Sequence, residues 1–289
     1  MRTPLIAVML FSLSAGSSHA AGASKTILFV GNSFTYAANS PVRNWHADRV
    51  TDLTGQGFGG VPALFQEFAE ECGLNYKVSL ETQGGQPLSF HYEKRRVLID
   101  RPWDVVVLQE YSTLDQAHPG DSTTYLHSVG KLTSLFRTRN PNVKIELMAT
   151  WTRADQTYRP SGHWYAKPVS AMADDLHRAA ELVWRRTEGV SGILPVGRAW
   201  NRAFSRKVAD PNPYDGLTFG QLDLWSYDQY HASTAGYYLE ALVVFGRVTG
   251  IDPTKLGPNE RAAEELGLSS AQASALQKVA RDELTDDPG

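Results

Sequence analysis

Ser33, Asp228 and His231 are the residues whose types and spacing allow chemistry. Ser33 stands in the run Val30-Gly31-Asn32-Ser33-Phe34, directly after a short apolar stretch. A glycine there lets the backbone turn sharply, and the hydroxyl that follows can face a crevice. A serine is a weak nucleophile alone and needs a base within hydrogen-bond reach. Taken by itself, Gly-Asn-Ser is also ordinary turn chemistry. The second half lies near the other end of the chain, in Asp228-Gln229-Tyr230-His231. This spacing can put a carboxylate and an imidazole on one side of a turn. Asp228 would hold one ring nitrogen and fix the tautomer, leaving the other nitrogen to take the proton of Ser33. A lone histidine at that place would otherwise be read as a helix-start residue making a local hydrogen bond. The run around Ser33 is not a GxSxG elbow, because Thr35 stands where the second glycine would be.

The elements that must position these residues follow from the apolar patterning. Strands are expected at 26–30, 77–81, 104–108, 143–149 and 193–196, and helices at 61–72, 122–137, 169–186, 236–248 and 269–284. The run Asp104-Val-Val-Val-Leu108 has the continuous apolar character of a strand buried on both faces. Alternation of strand and helix predicts an α/β fold with a parallel sheet covered on both faces. Ligands of such sheets bind outside the carboxyl ends of the strands, where Ser33 falls. Residues 37–60 and 209–227 read as long irregular loops, which in compact domains are often functional. Ser233 and Thr234 are placed to cap the apolar helix after His231.

Gly-Asn-Ser after the first strand, with Asp-x-x-His before a late helix, resembles the SGNH/GDSL hydrolase superfamily over residues 26 to 249. The resemblance implies a flavodoxin-like three-layer α/β/α sandwich with a mostly parallel five-stranded sheet. It implies a serine ester hydrolase with Ser33, His231 and Asp228 as triad and no cofactor. It further implies an oxyanion hole built from the N–H of Ser33, a glycine N–H after the second strand and an asparagine side chain after the third. Thr82-Gln83-Gly84-Gly85-Gln86 matches the glycine block, with Gly85 favoured over Gly84. Two departures stand out. Asn32 replaces the commoner aspartate of GDS. After the third strand comes Gln109-Glu110-Tyr111-Ser112, so Gln109 is the only carboxamide there. Gln109 either donates to the oxyanion from one methylene further out or satisfies loop backbone groups. Trp151, after the fourth strand, either offers an aromatic plate to a sugar or acyl group or packs beneath a loop.

Composition excludes other classes. The 289 residues are 42% hydrophobic and 20% charged, an ordinary globular balance. With 28 basic and 31 acidic residues the net charge is −3, and no basic run suggests a nucleic-acid surface. Residues 1–20 read as a secretory signal peptide, with Arg2, an apolar run and the small-x-small end Ser18-His19-Ala20. One domain is expected over 21–289, secreted or periplasmic, with no membrane span. The single cysteine, Cys72, allows no internal disulfide and reads as a core residue. No zinc-type spacing of Cys and His occurs, so no metal is expected. The expected substrate is a small-molecule or glycan ester, with an O-acetyl group on a carbohydrate preferred. The alternatives are a lipase or thioesterase using the same triad, and a non-catalytic carbohydrate-binding protein that kept the fold.

Overall fold

The computed structural model describes residues 24–286; the expected signal peptide lies outside them. The central sheet has six strands, β1 (Lys25–Gly31), β2 (Thr51–Asp52), β3 (Tyr76–Thr82), β4 (Val105–Gln109), β5 (Lys144–Met148) and β6 (Gly192–Leu194). Their order is β2-β3-β1-β4-β5-β6, and every pairing is parallel. The expected five strands thus gain a sixth, the two-residue β2 at the edge, inside a segment read from the sequence as loop. Two residues are too short to show a strand period.

The helices are α1 (Gly60–Glu71), α2 (Leu88–Lys94), α3 (Arg96–Ile99), α4 (Thr123–Arg139), α5 (Ala154–Tyr158), α6 (Ser170–Arg186), α7 (Val196–Ser205), α8 (Thr234–Thr249), α9 (Arg261–Glu265) and α10 (Ser270–Asp286). They divide between the two faces as side-chain alternation dictates. In β1, Ile27 and Phe29 join the core layer with α1, α7, α8 and α10, while Leu28 and Val30 join the layer with α4 and α6. In β4, Val105 and Val107 face the first layer, and Val106 and Leu108 the second. The three-layer α/β/α architecture follows directly from those two-sided apolar strands.

The sequence reading carried the last strand to Val196, but Val196 opens α7. Val196, Ala199, Trp200, Ala203 and Phe204 recur at helical spacing on its buried face. The Ser233 hydroxyl caps α8 by accepting from Gly236 N–H at 3.3 Å, and Gly250 ends that helix in the left-handed region, φ 73°. Among the described residues no helix is long and apolar enough to cross a membrane.

Candidate active site

The site lies at the carboxyl edge of the sheet, where the β1, β3 and β4 ends meet the loop before α8. Ser33 is the second residue after β1 and is 6% exposed. Its turn is tied closely. Thr35 and Tyr36 N–H both donate to Asn32 C=O, and Ala38 N–H donates to Ser33 C=O at 2.9 Å. Gly31 has no room for a side chain, since a Cβ there would lie 2.3 Å from Thr35 Oγ1 and 2.7 Å from Gln109 Oε1. Close approach, not an unusual φ, is what requires glycine at this position.

Asp228 and His231 meet as the spacing suggested. His231 Nδ1 lies 2.7 Å from Asp228 Oδ2. The other carboxylate oxygen, Oδ1, accepts from Tyr230 N–H at 3.1 Å and His231 N–H at 2.9 Å. Burial alone would raise the Asp228 carboxyl, but the ring and backbone donors of His231 and the Tyr230 N–H hold it below the usual carboxylate range. With Nδ1–H given to Asp228, the lone pair of His231 sits on Nε2. That nitrogen is buried without a hydrogen-bond partner, so it is not bonded to Ser33 in this resting geometry. Phe34 packs on the His231 ring, centroids 5.6 Å apart, which puts the imidazole against the Ser33 turn.

Asn39 completes the arrangement and was not singled out from the sequence. Its Nδ2 donates to Asp228 Oδ2 at 2.7 Å, and Ser226 Oγ donates to Asn39 C=O at 2.8 Å. Asn39 takes φ 60°, a left-handed conformation that asparagine tolerates better than most residues. Arg153 and Tyr230 were missed as well. The Arg153 guanidinium lies 3.8 Å over the Tyr230 ring, and that ring packs 4.1 Å from His231. Asn and Arg in loops carry no periodic signal, so only the assembled structure reveals these contacts.

The expected oxyanion donors fare differently. Ser33 N–H and Gly85 N–H have no backbone acceptor among the described residues. Gly85 is exposed at φ 69°, with open space where a Cβ would be, whereas Gly84 lies under the Tyr36 hydroxyl. Gln109 is fully buried and turned inward. Its Oε1 accepts from Asn32 N–H at 2.9 Å and from the Thr35 hydroxyl at 3.1 Å, while its Nε2 donates to Glu110 C=O. The carboxamide therefore bonds the backbone of the Ser33 turn, the second of the two roles that the sequence left open for it. Asn32 is engaged too, its Nδ2 donating to Gln86 C=O at 3.1 Å, a bond that an aspartate could not make.

Trp151 takes the second of its two expected places, packed beneath a loop. It is fully buried, stacked 4.2 Å from Phe34 and 4.8 Å from Trp200. Both faces are covered, and its Nε1 donates to Tyr230 C=O at 3.3 Å. It supports the His231 loop from beneath. Among the described residues no group of three His, Cys, Asp or Glu side chains is placed to hold a metal ion.

No protein-family profile matches the chain, and no curated protein matches it. Solved structures do. A DUF4886 family protein from Bacteroides uniformis superposes with a TM-score of 0.64 at 19% identity, covering 92% of this chain and 96% of that one. A protein described as a GDSL-like lipase from Parabacteroides merdae gives 0.55 at 20% identity, covering 78% and 95%. LAE5, an α/β hydrolase enzyme from the metagenome of Lake Arreo, gives 0.53 at 15% identity, covering 78% and 95%. The chain has the fold of these proteins, and the SGNH/GDSL resemblance read from the sequence holds at the level of the fold.

Proposed function

We propose that this protein is a serine ester hydrolase with Ser33 as nucleophile, His231 as general base and Asp228 as its partner. The observation that carries the reading is the 2.7 Å contact of Asp228 Oδ2 with His231 Nδ1, which leaves Nε2 buried and unpartnered beside the Ser33 turn. Ser33 Oγ adds to the ester carbonyl as its proton passes to His231 Nε2. The tetrahedral oxyanion takes the N–H groups of Ser33 and Gly85. Collapse breaks the bond to the leaving oxygen, which receives the proton from His231. Water then repeats the sequence on the acyl-enzyme, again with His231 as base. Asp228 stabilises the imidazolium in both halves. The preferred substrate is an O-acetyl ester on a carbohydrate, met after export through the segment 1–20.

The test is hydrolysis of 4-nitrophenyl esters of increasing acyl length by wild type and Ser33→Ala. Loss of at least about a thousandfold in kcat, the scale of losing a triad member, is expected in the variant. A sharp preference for acetyl separates a deacetylase from a lipase. Equal rates in both proteins would remove Ser33 as the nucleophile.

A further inference from the structure

Arg43 sits on the segment between β1 and α1, held from several sides. Its carbonyl accepts from Gly59 N–H at 2.8 Å, and the preceding Val42 is fully buried. Its guanidinium lies 4.6 Å from the centre of the Phe58 ring and 5.7 Å from that of Tyr36. Those two rings stack on each other at 4.5 Å. Arg43 is nevertheless exposed, and no carboxylate pairs with it among the described residues.

Tyr36 connects this cation to the reaction centre. Its backbone N–H belongs to the Ser33 turn, and its hydroxyl lies 2.7 Å from where a Gly84 side chain would begin, next to Gly85. One aromatic ring thus separates the guanidinium from the glycine loop. The neighbouring acids are engaged elsewhere. Asp52 accepts from the N–H groups of Thr54, Gln56 and Phe58, Asp228 is held by His231 and Asn39, Asp155 pairs with Arg153 at 2.7 Å, and Glu110 is buried. Arg43 thus presents a positive fork with no ion-pair partner among the described residues. A guanidinium stacked on rings is pre-organised to grip a carboxylate through two parallel hydrogen bonds.

We infer that Arg43, on its Tyr36–Phe58 platform, selects esters whose alcohol part carries a carboxylate, such as an acylated acidic sugar. The inference rests on the esterase reading of the site. An acetyl group carries no ionisable group, so the anion belongs to the alcohol.

Two measurements test it, one of them independent of turnover. The first compares kcat/KM for 4-acetoxybenzoate and for its neutral methyl ester. Arg43→Gln is expected to lower the ratio of the two by at least about tenfold, as loss of charge-assisted hydrogen bonds would. Arg43→Lys, which keeps charge and loses the fork, is expected to fall between. The wild-type ratio should decline with added salt. The second is calorimetric binding of intact 4-acetoxybenzoate to Ser33→Ala, with and without Arg43→Gln. Binding that weakens with the Arg43 change supports the site even if neither ester is hydrolysed, an outcome that would count against the esterase reading alone. A ratio and a binding constant both indifferent to Arg43→Gln, or no binding and an unchanged ratio, would overturn the inference.

Discussion

At the scale of single residues, the site is a set of hydrogen bonds with few alternatives. Asp228 accepts four donors, and three of them come from its own turn. The fourth, from Asn39, crosses from the other end of the chain. Asn39→Gly is the clean test of that bond, because glycine keeps the left-handed backbone and removes only the carboxamide. Since the donor acts on the residue that orients His231, kcat should fall about tenfold while KM changes little. A loss confined to KM would instead mean that Asn39 acts on substrate. The pairing of Asp228 with His231 was legible because a spacing of three on one turn brings a carboxylate to an imidazole, and the role proposed for Ser33 rests on the two short motifs occurring in order. Asn39 was not legible, since nothing in its neighbours announces a left-handed turn. For Gln109 the residue type left two roles open, and only the fold shows its amide reaching Asn32 N–H and Glu110 C=O.

At the scale of elements, the Ser33 turn depends on the contact between the ends of β1 and β4. Gly31→Ala would drive a methyl group into Thr35 Oγ1 and Gln109 Oε1. The expected cost is about 1–3 kcal/mol, as for other overpacked sites. A lowered denaturation midpoint together with lost activity would show it, and an unchanged midpoint would show that the turn can relax. The strands that bear the site were readable from their two-sided apolar runs, and α8 from its length and its Ser233 cap. Other elements were hidden by their size. β2 has two residues, α3 four, and α5 and α9 five each. Pattern needs more length than that to emerge. α7 was long enough, but its first residue, Val196, prolonged the apolar run of β6 and concealed the change from strand to helix period.

At the scale of the whole molecule, buried acids set the pH response. Burial pushes Glu110 and Glu260 up to about 7 and raises Glu240 well above the usual carboxylate range. In the unfolded chain each returns to an ordinary value near 4.5. Between those values the folded protein holds protons that the unfolded chain has released. Their contribution to stability is therefore complete below the unfolded value and is lost as pH rises through about 7 for Glu110 and Glu260. Asp228, depressed on folding, contributes in the opposite sense, losing its share as pH falls. Glu110→Gln keeps an acceptor for Leu88 and Tyr111 N–H and removes the titration. Melting temperatures between pH 5 and about 8 should fall less steeply in this variant than in wild type; parallel curves would mean that Glu110 stays ionised. The contact between Asn39 and His231 joins residues 192 positions apart in sequence. A ribosome adds about 5–20 residues per second, so the serine leaves it roughly ten to forty seconds before the histidine. Throughout that interval the nascent chain carries a hydroxyl with no base to activate it. On the proposed mechanism, ester cleavage is thereby deferred until the segment bearing His231 has docked, which makes the first turnover a clock for completion of the native state.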